Sequence, residues 1–394
     1  MKQLNIKQLR KETPGSEQVI HFNNAGTSLP PTAVTDTIKN YLDLEASIGG
    51  YEAEEIKADE IKGFYRNISE LINCQPHEVA FTENATRAWD MAFYSLDFKP
   101  GDRILTAMNE YASNYLSFLH VARQKGVKIE VIPDDRDGQL DLNALESMLD
   151  SSVKLLAITH VPTQGGLINP AIEAGHIAKK QGVTYLLDAT QSVGQMPIDV
   201  QKIGCDFLCG TGRKFLRGPR GTGFLYASER IINHCNPPFI DLHAANWSSL
   251  DAYELMPDAR RFETWEQNYA GKLGLSAAVR YALDIGMENI WQRIQHLSSL
   301  FRSKLEKIPG LTLQDLGKNQ CGIITFSTKN KTPAEIKQAL REQGINVTVS
   351  VMEFARLDLQ SRGLDALVRA SLHYYNTEEE IDIVCKAVAD FVSS

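Results

Sequence analysis

No Cys-x-x-Cys pair occurs among the six cysteines, Cys74, Cys205, Cys209, Cys235, Cys321 and Cys385, which removes the commonest zinc and dithiol motifs. Cys205, Cys209, His234 and Cys235 lie close in sequence, but their spacing fits no common zinc module, and no metal is expected. Free, mostly buried thiols fit a reducing compartment and a cytoplasmic location. No apolar run approaches the roughly 18 residues that a membrane span requires. The N-terminal stretch MKQLNIKQLRKETPGSEQ lacks the apolar core of a signal peptide, so no membrane partner is expected. Positive charge is not in excess: 41 Lys and Arg face 49 Asp and Glu, for a net charge of −8. Bulk charge therefore gives nucleic-acid binding no support. The nucleotide-binding pattern G-x-x-x-x-G-K-[ST] is missing as well. In CGTGRKFLRGPRGTGFLY (209–226), Lys214 is followed by Phe215. There is no internal repeat and no low-complexity linker.

What is present is an ordinary globular composition, 43% hydrophobic over 394 residues, enough for a large core with or without a smaller second domain. Short apolar runs alternate with helical patterns. The predicted strands are 78–82, 103–107, 128–132, 154–160, 183–189, 206–210 and 221–227; TRAWDMAFYSL, NYLSFLHVARQKG, LNALESMLD and AIEAGHIAKKQG read as helices between them. This alternation predicts an α/β fold with a mostly parallel sheet covered on both faces. Only ten residues separate the last two runs, too few for a crossover helix, so an antiparallel strand is expected there. Beyond about residue 270 the pattern becomes one long helix, followed by strands at 322–328, 345–350 and 367–375 and helices at 332–343 and 377–392. The expected division is an N-terminal segment 1–20, a large domain 21–275 and a small C-terminal α+β domain 276–394, with the boundary inside the long helix.

In open parallel sheets, ligands sit beyond the carboxyl ends of the strands. Asp188 ends one predicted strand, His160 ends another, Thr82 leads into Asn84-Ala85-Thr86 at a helix start, and the 206–210 strand leads to Thr211 and Lys214. Singly, Asp188 reads as a helix cap, the Asn84 stretch as a capped helix start and Lys214 as a surface residue. Together they suit pyridoxal phosphate (PLP), which uses a lysine, a carboxylate at its ring nitrogen and a phosphate cup at a helix N-terminus. A lysine with that task must give up its proton, and the neighbouring Arg213 and Arg217 could disfavour its charge.

Along nearly its whole length the chain resembles the class V aminotransferase family, which includes cysteine desulfurases, isopenicillin N epimerase-like proteins and related carbon–sulfur lyases. The resemblance is carried by HFNNAGTSLPP, FTENATRAWDMA, NEYASNY, ITHVPTQGGLINP, LLDATQSVGQMPIDV, GTGRKFLRGPRGTGFLY and LVRASLHYYNTEEEID. It implies PLP-dependent transferase fold type I, with a seven-stranded, mostly parallel sheet. It implies Ala85, Thr86 and Thr211 at the cofactor phosphate, Tyr111 over the ring (where the family often has His) and Asp188 at the pyridine nitrogen. It also implies Gln191 at the phenolic oxygen, Thr163 where desulfurases carry Asn, and Lys214 as the lysine that takes the cofactor. Asn24, Ala25 and Gly26 fall in the substrate-side loop, and Arg369 looks like the clamp for the substrate carboxylate. A homodimer is implied too.

Two departures narrow the reaction. Desulfurases carry a nucleophilic cysteine just before the Arg369 strand, whereas here no cysteine lies between Cys321 and Cys385. Where desulfurases offer a threonine to the neighbouring subunit's phosphate, this chain has Glu266 within RRFETWEQN. The leading expectation is carbon–sulfur β-elimination on an S-substituted cysteine. Transamination and epimerisation of an amino acid are the alternatives. A non-catalytic PLP sensor fused to a DNA-binding head is disfavoured, since little sequence precedes the cofactor domain.

Overall fold

The computed structural model describes residues 4–393; the first three residues of the expected segment 1–20, and Ser394, lie outside the described residues. Seven strands form one sheet. Its spatial order is Val79–Thr82, Gly223–Ala227, Phe207–Thr211, Thr184–Asp188, Val153–Thr159, Arg103–Ala107, Lys128–Ile132. Each strand lies within about two residues of its sequence expectation. Only Gly223–Ala227 runs against its neighbours. The short link from Thr211 has no room for a crossover helix, so the chain returns beside the strand it has just left.

The central strands are buried on both faces, which is why they read as continuous apolar runs and not as alternating ones. Their side chains still alternate between two cores. Leu156, Leu187 and Leu208 face Phe64, Ile68 and Leu275 on one side. Leu155, Leu186 and Phe207 face Trp89, Phe93 and Phe118 on the other. Fully burying a side chain of this size contributes about 2 kcal/mol, so both layers anchor the rim on which the strands end.

A second sheet lies in the C-terminal part, with all its pairings antiparallel, in the order Leu311–Leu313, Ile323–Thr328, Ala366–Ser371, Thr348–Val351. It has four strands where three were expected, because Leu311–Leu313 is too short to give a periodic signal. The expected 345–350 strand divides at Val347. Ile345–Asn346 pairs in parallel with Ile20–His21, while Thr348–Val351 joins the sheet. The long helix is also two helices, Tyr269–Ile285 and Met287–Leu305, broken at Gly286 with φ +91°. Glycine takes that backbone conformation without the Cβ penalty, and its N–H caps the first helix at the Ala282 carbonyl.

Arg217, expected to disfavour the charge of Lys214, is engaged chiefly with the scaffold. It is buried, and it is one of two non-glycine residues with positive φ, at 63°, among the described residues. Nε donates to the Leu29 carbonyl at 2.9 Å, Nη2 to Thr13 Oγ1 at 2.6 Å and Nη1 to the Tyr374 hydroxyl. The guanidinium also lies over the Tyr375 ring, 4.5 Å from its centroid. One side chain thus ties the loop after Lys214 to the N-terminal segment and to the C-terminal part. An unusual φ costs roughly 1–3 kcal/mol, and the hydrogen bonds must outweigh it. Arg217→Ala, which removes the donor to two buried hydroxyls and one part-buried carbonyl, is expected to lower stability in urea by roughly 3 kcal/mol or more. A loss under about 1 kcal/mol would show that the tie carries little.

Candidate active site

Three adjacent parallel strands end side by side. Thr159 pairs in register with Asp188, and Asp188 with Cys209, two residues before the strand closes at Thr211. Beyond these ends lies a cavity of about 430 Å³, lined by Ala85, Thr86, Tyr111, Thr163, Asp188, Gln191, Thr211 and Lys214 together with Asn84, Asn114, Thr159, Val161, Thr190 and Arg213. Its size suits a small cofactor with a substrate. Eight of the residues read from the sequence therefore meet in one place.

One end of the cavity is built for an anion. Helix Ala85–Tyr94 starts there, capped by Asn84, whose side chain accepts from the Arg87 N–H at 2.9 Å and whose carbonyl accepts from Ala88. The N–H groups of Ala85 and Thr86 have no partner among the described residues, and the helix dipole adds partial positive charge. Gly223 makes this approach possible, since a Cβ there would stand 2.8 Å from the Asn84 backbone carbon. Thr211 adds a hydroxyl, which in this structure donates to the Thr222 carbonyl at 3.2 Å.

Asp188 lines the same cavity. Its carboxylate accepts from the Thr190 N–H and from Asn114 Nδ2, each at 2.9 Å. Asn114 also donates to Glu110 at 2.9 Å. Glu110 is buried and accepts in addition from Thr106, Thr159 and the Tyr111 N–H. Burial, reinforced by the nearby Asp188, pushes Glu110 up to about 7 against the pull of those hydrogen bonds. Sequence reading missed Glu110 and Asn114. Glu110 precedes helix Ala112–Lys125 and only Asn114 lies in its first turn, so no helical spacing marked the pair.

Lys214 is buried, and its pKa is held well below the ordinary lysine range. Burial is the main cause, followed by the positive charges of Arg213 and Arg369, with Asp188 and Cys209 acting in the opposite direction. Arg217 is not among these leading contributions. Arg369 donates from Nη1 to Thr163, at 3.0 Å to its carbonyl and 2.6 Å to its hydroxyl, while its Nε is buried without a partner. Burial and Arg213 bring Arg369 down to about 10. Gln191 Nε2 donates to the Ala25 carbonyl at 3.1 Å and to the Thr163 hydroxyl at 3.3 Å, leaving Oε1 unpaired.

The substrate-side loop is placed differently from the sequence expectation. Asn24 has no access to the cavity. It is fully buried, its Nδ2 donating to the Ser371 carbonyl at 2.8 Å and its Oδ1 accepting from Tyr375 at 2.6 Å. Ala25 and Gly26 approach through their carbonyls alone, which accept from Gln191 and Arg213. Glu266 lies outside the cavity lining, in a small cleft with Arg87 and Glu83.

The residues fit PLP: an anion cradle whose N–H groups are unpaired, a buried carboxylate, a buried lysine held toward its amine form, and polar atoms at Gln191 and Arg369 left without partners.

Comparison with known proteins agrees. The family model "Aminotransferase class-V" matches residues 20–384. A protein of Pyrococcus abyssi named "Probable cysteine desulfurase" is 31% identical over 393 residues, covering 98% of this chain and 97% of that protein. Its namesake in Methanothermobacter thermautotrophicus is 30% identical, covering 97% and 96%. The apo structure of a cysteine desulfurase from Thermococcus onnurineus NA1 superposes with a TM-score of 0.93 at 29% identity, covering all of both chains. With the cavity at the strand ends and the match running from residue 20 to 384, the chain belongs to the class V aminotransferase family of PLP-dependent enzymes.

Proposed function

We propose that this enzyme carries out carbon–sulfur β-elimination on an S-substituted cysteine without a thiol of its own. The supporting observation is the make-up of the cavity wall. It holds Lys214 and Asp188, with Arg369 bound to the lining residue Thr163, and it includes none of the six cysteines. Cys321 and Cys385, which flank the thiol-free stretch, are both pushed up to about 12 by burial. Cys209 is sealed in the sheet next to Asp188, its thiol pushed up by burial as well. Thiols so far from their thiolate form are poor nucleophiles at neutral pH.

In this reading the N–H groups of Ala85 and Thr86 and the hydroxyl of Thr211 hold the cofactor phosphate. Asp188 holds the ring nitrogen, Tyr111 covers the ring, and Gln191 with Thr163 meets the phenolic oxygen. Bound PLP supplies an electron sink for charge that develops at the substrate Cα. Arg369 orients the substrate carboxylate through its spare N–H groups. Lys214, disfavoured as a cation, takes the Cα proton. The sulfur substituent leaves Cβ with its bonding electron pair, and water then converts the remaining three-carbon fragment to pyruvate and ammonia. Alanine formation from free cysteine would instead need a thiol to receive the sulfur.

We further infer a cytoplasmic homodimer, with residues 21–275 and 276–394 as its large and small domains. Exposed Tyr51, Trp247, Leu250 and Trp265 support a partner surface, and six free cysteines support a reducing compartment. The existence of two separate sheets supports two domains, and the helix break at Gly286 lies about ten residues beyond the inferred boundary.

Borohydride reduction of the PLP-loaded protein, followed by peptide mass mapping, is expected to place the pyridoxyl group on Lys214. A label on another lysine would overturn the assignment. Across a panel of cysteine derivatives, pyruvate is expected from at least one that carries a good leaving group on sulfur, such as a sulfoxide. Little alanine is expected from free L-cysteine. Alanine accompanied by a persulfide trapped on the protein would sink the elimination reading. Turnover only with an amino-group acceptor would move the reaction to transamination.

A further inference from the structure

Behind the cavity wall stands a carboxyl that the proposed reaction does not use. Glu110 is buried and is not itself a lining residue, yet three residues of the lining, Tyr111, Asn114 and Thr159, rest on it. Its Oε1 accepts from the Tyr111 N–H at 2.7 Å, from Asn114 Nδ2 at 2.9 Å and from the Thr159 hydroxyl. Its Oε2 accepts from the Thr106 hydroxyl at 2.9 Å. The Asn114 amide has two hydrogens, and it places one on Glu110 and the other on Asp188. Glu110 therefore holds the backbone of Tyr111 directly and reaches Asp188 through a single amide.

Either charge state of Glu110 is satisfied without moving a heavy atom. Thr106 is fully buried, and among the described residues its hydroxyl bonds Glu110 alone. A hydroxyl both donates and accepts, so it donates to the carboxylate and receives the O–H of the neutral acid at the same Oε2. The titratable groups that face Glu110 are Asp188 and Cys209, on two neighbouring strands. Strands Arg103–Ala107 and Val153–Thr159 and helix Ala112–Lys125 meet it only with the hydroxyls of Thr106 and Thr159 and the Asn114 amide. Burial and the Asp188 charge favour the acid and bring its ionisation to about 7. Near neutrality this end of the site is thus poised between one negative charge and two.

We propose that Glu110 is a positioning residue whose proton is coupled to the cofactor ring. It seats Tyr111 at the ring face and Asn114 on Asp188. When a protonated ring nitrogen binds at Asp188, Glu110 releases its proton to solvent, and the second negative charge helps to hold the ring cation. One charge acting across roughly 10 Å at an effective dielectric of about 20 changes affinity about tenfold. By linkage, ring binding draws the ionisation of Glu110 to lower pH, and affinity for the ring rises as pH increases through that window.

This rests on the cofactor and not on the elimination reading, and it holds whichever reaction at Cα follows. The probe is pyridoxamine phosphate, which has the same ring and phosphate but forms no bond to Lys214. Its dissociation constant is measured by equilibrium dialysis against the full-length protein freed of PLP. In Glu110→Gln the amide reproduces the neutral acid, its N–H₂ facing Thr106. This variant and the unmodified protein are expected to bind the probe alike well below the ionisation of Glu110. Above it, the unmodified protein is expected to bind about tenfold tighter. Glu110→Ala, which removes the seat of Asn114 and Tyr111, is expected to bind weakly at every pH. A ratio between unmodified protein and Glu110→Gln that does not change with pH would make Glu110 a structural prop and overturn the proposal. So would full affinity in Glu110→Ala. A measurement on the unmodified protein alone guards against variants that misfold. The infrared band of a buried carboxylic acid is expected to disappear at lower pH with the probe bound than without it. Asp134, also brought to about 7, lies outside the cavity lining and supplies a band that does not move. A band set that titrates identically in both states overturns the coupling. No binding of the probe at any pH would strike at the cofactor site as well as at this proposal.

Discussion

Lys214 is an amine placed where an ammonium is unwelcome, and the surrounding architecture follows from that constraint. A lysine in water is protonated at neutral pH and is neither a nucleophile nor a base. Here burial disfavours the charge, and Arg213 and Arg369 add repulsion. Such an arrangement is costly, and it persists because the loop carrying Lys214 is held elsewhere. Three residues on, Arg217 anchors that loop in hydrogen bonds to Thr13, Leu29 and Tyr374. The two arginines nearest in sequence thus divide the work: Arg213 faces the cavity and Arg217 faces the scaffold.

The acidic side answers the same need in the opposite sense. Asp188 must remain a carboxylate close to a buried lysine, and it is supported by the Thr190 N–H and Asn114. Asn114 in turn rests on Glu110, which four donors surround. Burial holds Glu110 closer to its neutral form than an exposed glutamate, so two carboxylates can share one asparagine without two full charges meeting. The parallel sheet makes this possible, because Thr159 and Asp188 end neighbouring strands in register.

Much of this was legible in the sequence. Strands buried on both faces appear as unbroken apolar runs, so their positions and the antiparallel turn near residue 221 followed from pattern and loop length. Eight of the residues lining the cavity were identified by local motifs, one stretch at a time, whereas Asn114 in the same lining was not. Asn24 shows where that reading stops. Its motif is intact, yet its amide is consumed by Ser371 and Tyr375, residues about 350 positions away. Arg217 is a second case, since a charged residue in a glycine-rich loop carries no local sign that three tyrosines surround it.

The sequence by itself determined the strand and helix periods, the turns that glycine permits, and the chemical types available at each strand end. These are properties of neighbouring residues and of backbone sterics. Only the tertiary structure decided which charges are neutralised and which are left free. Charge balance depends on distance and solvent access in three dimensions. Arg217 and Arg213 stand four residues apart with the same side chain. One is spent on the protein's own carbonyl and hydroxyl groups, and the other keeps its donors turned to the cavity.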